Sequence, residues 1–476
     1  MVMLLIASTA VMAVPRNGKP LTGNGPHKGY RFVLTIEDNN DSVMYLGNYY
    51  AGKTYATDTA FKNKKGQFVF EQKTRPIYPG VYFFTNPKGD YVEFMVYHEK
   101  PDFTFTTKES QWTRNMKVKG SKQNDLFYEY DRLNYHYYQV IDDAHASMPD
   151  STFRSFREKT VRELDSVQLQ LINDHPASLL GKMMNATREP ATPTHDSTGH
   201  ELTQMERYTW FLDHYFDNTP LDDDALIRMP ERIFNKRLTL WLDKYMKNAT
   251  PDFIIERLDR MLDRAEASPE NFRYLVHTIS EKYLQSNVMS YDAIYVHMIK
   301  TYYGSGRATW ASPSTIDDNM ERAGKWEKLL IGKDAPELVL KDHDGTFHSL
   351  HQQDAKYTLL VFWSPTCGHC KVMIPDLYKK FLLYKDSFNI KAYTILSEPD
   401  EVTRGKWLTF IKDHNFNDPR WLNLDGGEAN VDWHEVYDIV TTPQIYLLDR
   451  NKHILAKKLN AELFEQIITT LETEGM

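Results

Sequence analysis

Between residues 30 and 121 the apolar positions recur with a period of two. Tyr30, Phe32, Leu34 and Ile36 interleave with Arg31, Val33 and Thr35, as a half-buried strand requires. Phe68 and Phe70 repeat the pattern after Gly66. Val92, Phe94 and Val96 do so after the turn Asn86-Pro87-Lys88-Gly89, and Phe103 and Phe105 form a further run. Short strands punctuated by Gly, Pro and Asn predict an all-β sandwich or small barrel over 28–121.

The period then changes to three and four, and Gly becomes scarce, which predicts an all-α region over 122–325. Ile254, Leu258, Met261, Leu262 and Ala265 mark one buried face. Phe153, Phe156, Leu164, Val167 and Leu171 mark another, and Ser268-Pro269 reads as an N-cap followed by a first-turn proline. The Tyr and Trp stripes here read as inter-helix packing in preference to a ligand box, because aromatics bury large areas in bundles. Residues 186–200 carry almost no apolar content and predict an exposed loop, and 304–319 form a second polar stretch.

From Gly332 strands and helices alternate, the mark of an α/β fold over 331–476. Val339-Leu340 leads into the hairpin turn Asp342-His343-Asp344-Gly345, and Tyr357–Trp363 is a continuous apolar run suited to a central strand. A helix over 371–385, a strand over 390–396, a helix over 404–414, strands over 444–449 and 453–457, and a terminal helix from Ala461 follow.

Composition adds exclusions. Of 476 residues 41% are hydrophobic and 26% charged, ordinary for a globular chain, and the net charge of −8 without a basic, aromatic-laced run excludes nucleic acid as a natural partner. The first residues, MVMLLIASTAVMAVPRNGKP, resemble the apolar core and small-residue cleavage zone of a secretory signal over 1–13, though no Lys or Arg precedes them. The run is too short to span a bilayer, so no permanent membrane span is expected. The competing reading is a buried first strand.

Both cysteines of the chain lie in WSPTCGHCKVMIP, at Cys367 and Cys370. Random placement would give that spacing roughly once in a few hundred chains. A zinc site wants about four ligands, and no second CxxC or CxxxH exists. A redox dithiol therefore reads better than a metal site or a packed pair, and no cofactor is implied. Cys367 stands where a central strand ends and a helix begins, so backbone N–H groups and the helix dipole favour its thiolate. His369, when protonated, pushes the same way. Lowering a thiol pKa from about 8.5 to about 6.5 raises its ionised fraction at pH 7 from about 3% to about 75%. Cys370, one turn on, is the candidate resolving thiol. Export would place the pair in an oxidising compartment, where stray thiols are a liability. His343, His348 and His351 with Asp342 and Asp344 could be drawn as a metal cluster, but a solvated hairpin with incidental histidines is the plainer reading.

The block around these residues resembles a thioredoxin-fold thiol:disulfide oxidoreductase of the TlpA-like envelope branch. The resemblance covers residues 331–476. It rests on Trp363, Cys367, Gly368, His369 and Cys370, on Pro375 five residues after the second cysteine, and on Thr442-Pro443 in VTTPQIYLLD. It implies a kinked active-site helix, a cis-proline beside the dithiol where an extended substrate strand pairs, protein thiols or disulfides as substrates, and an upstream redox partner in the periplasm or cell envelope. The succession of β region, helical region and this module also resembles a three-part architecture of Gram-negative envelope proteins. Val361 replaces the buried Asp that thioredoxins keep six residues before the first cysteine, which leaves the proton acceptor for Cys370 unassigned, with Glu398 only a weak candidate. The Gly-His dipeptide matches protein disulfide isomerases, which implies a more oxidising pair than thioredoxin's. Peroxiredoxin spacing (P-x-x-x-T-x-x-C) fails because Pro365 and Thr366 directly precede Cys367, and the C-x-x-x-C of copper chaperones is absent. A peroxiredoxin-like antioxidant, and a binding or adaptor protein whose N-terminal regions carry the main role, are the alternatives.

Overall fold

A computed structural model describes residues 26–473, so the signal segment expected over 1–13 lies outside the described residues. The architecture is an N-terminal β sandwich, a helical middle and a C-terminal thioredoxin-like α/β fold. The chain divides into two compact units, one ending at Leu275 and one beginning at Val276.

The first unit opens with strands β1 (His27–Glu37), β2 (Val43–Tyr50), β3 (Lys53–Phe61), β4 (Gln67–Ile77), β5 (Gly80–Thr85), β6 (Tyr91–Val96), β7 (Asp102–Lys108) and β8 (Lys117–Lys119). They form two four-stranded sheets, β4-β1-β7-β8 and β3-β2-β5-β6, which resolves the sandwich-or-barrel choice in favour of the sandwich. The alternating aromatics meet between the layers. Phe84 and Phe94 stack at 4.6 Å, and Phe32 meets Phe94 edge-on at 5.1 Å. Offset and edge-on ring pairs of this kind add to the area term that drives the packing.

Helices α1 (Lys122–Ser147), α2 (Asp150–Asp174), α3 (Leu179–Ala186), α4 (Gln204–His214), α5 (Asn235–Leu240), α6 (Pro251–Ala265) and α7 (Pro269–Leu284) follow. Ser121 caps α1, and the Asn124 side chain exchanges two hydrogen bonds with the Met95 backbone, 2.7 and 2.8 Å, tying α1 to β6. On α6 the predicted face is buried entire, with Arg257 added to it. On α2 only Leu164 of the predicted face is fully buried.

In the second unit come α8 (Asp292–Met298) and α9 (Pro313–Lys328), then β9 (Val339–Asp342), β10 (Phe347–Ser349), β11 (Tyr357–Trp363), α10 (Gly368–Tyr384), β12 (Ile390–Leu396), α11 (Glu401–Asp413), β13 (Trp421–Ala429), α12 (Trp433–Val436), β14 (Gln444–Leu448), β15 (Ile454–Lys457) and α13 (Ala461–Thr473). The seven-stranded sheet runs β10-β9-β13-β12-β11-β14-β15. Strand β11 lies next to its centre, parallel to β12 and antiparallel to β14, and all seven of its residues are buried. One apolar core covers each face of this sheet. Two elements depart from the expected pattern. Strand β13 is absent from the order expected from the sequence, which passes from the helix over 404–414 directly to the strand over 444–449. A Cβ on Gly426 would stand 2.3 Å from the Leu396 carbonyl oxygen, so glycine is what allows β13 to pass this close to β12. The polar stretch 304–319 is loop only as far as Ser312, which caps α9, with Pro313 in its first turn.

The boundary expected near residues 325–331 does not coincide with the division between units. Residues 276–329 share the second unit with the α/β fold, and the reason is polar as well as apolar. The buried Lys457 ammonium on β15 donates to Asp292 of α8 and to the Leu329 carbonyl at 2.6 Å. Trp326 of α9 donates to Asp438 at 2.6 Å, and Lys325 pairs with Glu435 at 2.5 Å. Trp326→Phe keeps the ring and loses this one donor, leaving the Asp438 carboxylate short of a partner. A loss of about 1–3 kcal/mol is expected, read as a lowered unfolding midpoint of the full chain.

Candidate functional site

Strand β11 delivers the chain to the surface through Ser364 and Pro365, and α10 begins directly after Cys367. The helix therefore starts three residues earlier than the apolar spacing predicts. Its buried face is Cys370, Ile374, Leu377, Tyr378 and Phe381, a helical repeat that begins with the second cysteine itself. Cys367 is the N-cap, and its sulfur accepts from the Cys370 N–H at 3.4 Å. The Cys367 thiol in turn donates to the Thr442 carbonyl at 3.3 Å. That contact sets the loop before β14 against the dithiol, and the Thr442–Pro443 bond in it is cis.

The two thiols occupy opposite environments. Cys367 is half-buried and Cys370 wholly buried. Partial burial works against ionising Cys367, but it is outweighed by contacts from the Cys370 side chain and N–H, from Thr442 and from the His369 N–H, which leave its pKa below the ordinary thiol value. Burial above all, then the contact with Cys367 and its charge, push the Cys370 thiol up to about 12. At neutral pH one sulfur is thus disposed to ionise while the other keeps its proton.

The remaining residues singled out from the sequence fall in distinct places. Gly368 and His369 are exposed. The His369 contribution to Cys367 comes from its backbone N–H. Trp363 is buried in the core beneath the dithiol, 5.3 Å from the Phe410 ring, and forms no part of the exposed surface. Pro375 lies inside α10, where it lacks the N–H that would bond the Lys371 carbonyl. Val361 is buried in β11. Glu398 is not placed as a proton acceptor for Cys370. Its carboxylate accepts from Thr366 at 2.6 Å and Ser364 at 2.7 Å, and these hydroxyls hold its pKa below the usual range, making it a poor base. From the sequence Ser364 carries no role and Thr366 is weighed only against the peroxiredoxin spacing, although both sit inside the motif and donate to Glu398. The three hairpin histidines do not converge. His348 pairs with Asp342 at 2.8 Å, His351 meets the Ala335 carbonyl at 2.7 Å, and His343 faces Asp344 at 3.7 Å. Among the described residues no group of three or more His, Cys, Asp or Glu side chains is arranged to hold a metal.

Residues 331–457 match the model of the AhpC/TSA family, while 30–127 and 200–325 match two domains of unknown function, DUF4369 and DUF5106. A curated relative, the thiol-disulfide oxidoreductase ResA of Bacillus cereus, is 25% identical over 141 residues, 30% of this chain and 76% of its own length. Among solved structures, a thioredoxin-like protein from Bacteroides caccae is 19% identical with a TM-score of 0.48, covering 60% of this chain and 99% of its own. A domain of a possible thiol-disulfide isomerase from Cytophaga hutchinsonii is 35% identical with a TM-score of 0.28, covering 30% and 95%. The C-terminal module belongs with the thioredoxin-like thiol-disulfide oxidoreductases of the AhpC/TSA, ResA-like kind. Its chain is multidomain, with a β domain at the N-terminal end.

Proposed function

We propose that the protein exchanges disulfides with protein substrates through Cys367 and Cys370, and does so after export to the cell envelope. The observation that carries this reading is the inequality of the two thiols: an accessible one with a depressed pKa at a helix N-cap, and a buried one raised to about 12. In the reducing direction the Cys367 thiolate attacks one sulfur of a substrate disulfide. A mixed disulfide forms, and the first substrate thiolate leaves and takes up a proton. Cys367 is then neutral, so the charge that helped hold Cys370 protonated is gone. Cys370 gives its proton to solvent and attacks the Cys367 sulfur, the second substrate thiolate leaves, and a Cys367–Cys370 disulfide remains. Two electrons have passed to substrate, and a dithiol partner must return them. The oxidising direction is the same sequence reversed.

Two features support the envelope location: the apolar N-terminal run, and a chain whose thiols are confined to one pair. Among the described residues no helix is long and apolar enough to cross a membrane. The test is reduction of insulin disulfides by the full chain with dithiothreitol as donor, beside a peroxide-consumption assay. Catalysed insulin reduction without peroxide turnover supports the reading. Peroxide turnover alone overturns it.

A second expectation concerns pH. Because the Cys367 pKa is depressed, its thiolate fraction rises on going up through a midpoint below the ordinary thiol range, and Cys370 stays protonated throughout. Iodoacetamide labelling read by peptide mass should therefore fall on Cys367 at pH 7 and spare Cys370, and equal labelling would contradict the assignment. A third concerns His369→Pro. Proline deletes the N–H that faces the Cys367 sulfur, at a first-turn position where helices accept it. A charge-assisted hydrogen bond of about 1.5–3 kcal/mol corresponds to an upward pKa shift of about one unit or more. Weakening the thiolate also makes the reduction potential more negative. A His369→Ala protein, which keeps the N–H, should shift less.

A further inference from the structure

Beside the dithiol, a shallow groove of about 440 Å³ runs between the start of α10 and the length of α11. It is lined by Pro365, Lys371, Val402, Gly405, Lys406, Thr409, Phe410 and Asp413. Pro365 stands two residues before Cys367, and Lys371 directly follows Cys370. The Cys367 sulfur also meets the Thr442 carbonyl, on a loop whose Val440 is 83% exposed. A chain segment that presents a sulfur to Cys367 therefore comes close to this loop, and the groove begins two residues before Cys367, at Pro365. The groove's apolar part is unusually open, since Val402 is 66% exposed, and Gly405 adds no side chain to its floor.

Charge gives the groove its preference. Several cations of this module are ion-paired: Lys341 with Glu428, Lys356 with Glu472, Lys379 with Asp376, Lys380 with Glu465, Lys385 with Asp418, and Arg404 with Asp425. Among the described residues neither Lys371 nor Lys406 has an ion-pair partner. Of the carboxylates around the groove, Asp376 pairs with Lys379, Glu398 accepts from the Ser364 and Thr366 hydroxyls and Asp400 from the Val402 and Thr403 N–H groups, while Glu401 stands five residues before Lys406 without forming an ion pair with it. Asp413 lies about two turns along α11 from Lys406, which leaves a cationic stretch and one acidic end.

We propose that this groove seats an acidic segment of the protein substrate flanking its reactive cysteine, with Lys371 and Lys406 meeting its carboxylates and Val402 and Phe410 its apolar side chains. The proposal rests on the dithiol reading above. Like-charged segments are disfavoured there, and opposite charge raises the encounter rate and fixes the direction in which the segment lies. Lys371 is joined directly to Cys370, whereas Lys406 sits on a separate helix and reports on docking.

The experiment uses the full chain and three quenched-fluorophore peptides, each closed by one internal disulfide and flanked by glutamate and aspartate, by serine, or by lysine. At low ionic strength the acidic peptide should be reduced about tenfold faster, in kcat/KM, than the basic one, and the gap should close as salt is raised past the screening range of about 0.1–0.2 M. Lys406→Glu should cut the ratio of acidic-peptide to basic-peptide kcat/KM several-fold while the pH profile of Cys367 alkylation stays unchanged, and Lys406→Arg should retain the preference. Equal rates for all three peptides, or a preference untouched by Lys406→Glu, overturn the groove assignment and leave the dithiol reading standing. If no peptide reacts at all, the dithiol reading falls and this proposal falls with it.

Discussion

A Cys367→Ser protein is expected to lose catalysed disulfide exchange altogether, by about a thousandfold or more in rate, falling to the uncatalysed background. Serine keeps the N-cap geometry, because its hydroxyl can accept from the residue-370 N–H as the sulfur does. The fold should be untouched, and circular dichroism melts should superimpose. What is lost is the one sulfur that is accessible and carries a depressed pKa. Cys370 cannot take over, being buried with its thiol raised to about 12. The complementary variant, Cys370→Ser, should behave differently. It keeps the attacking thiol but not the resolving one, so mixed disulfides with substrates accumulate and appear as slow-migrating bands on a non-reducing gel that vanish on reduction. Substantial turnover by Cys367→Ser, or no trapped species from Cys370→Ser, would reverse or remove the roles assigned here.

The second large effect is on stability. Asp292→Ala removes the carboxylate from a pair in which both side chains are buried, and leaves the Lys457 ammonium with the Leu329 carbonyl alone. Breaking one side of a buried pair costs about 3–5 kcal/mol. For a unit of this size that is a fall of roughly 6–20 °C in unfolding midpoint. Replacing both members by apolar residues, Asp292→Leu with Lys457→Met, should recover most of the loss, because the uncompensated charge is then gone. The native pair is imperfect: the second oxygen of Asp292 has no hydrogen-bond partner. A single-variant loss below about 1 kcal/mol would mean that water reaches the site and that residues near 292 are not bound to β15 through this pair.

The class of each region was legible in the residues because local period alone decides it. A repeat of two in 30–105 can bury one face only as strands, and the α6 face can close only as a helix. The dithiol was legible for a different reason. Two cysteines spaced three apart at a strand-to-helix junction make their chemistry through the backbone immediately around them, and that backbone is local sequence. The Thr442-Pro443 loop was found through resemblance; local pattern offered nothing to bring residue 442 within 3.3 Å of residue 367.

What only the tertiary structure decided depends on contacts distant in sequence. Strand β13 passes close beside β12 at Gly426 and against the Arg404 side chain at Gly427, positions where local sequence shows only two glycines. Glu398, a weak candidate from the sequence, is set by the fold against Ser364 and Thr366. The inequality of the two thiols, suggested by their order in the chain, acquires its size from burial, which depends on the whole core packed around Cys370. Lys457, a residue of β15, contributes to placing residues 276–329 with the α/β fold. Its charge is buried, so it requires a partner, and that partner comes from a helix more than 150 residues earlier in the chain.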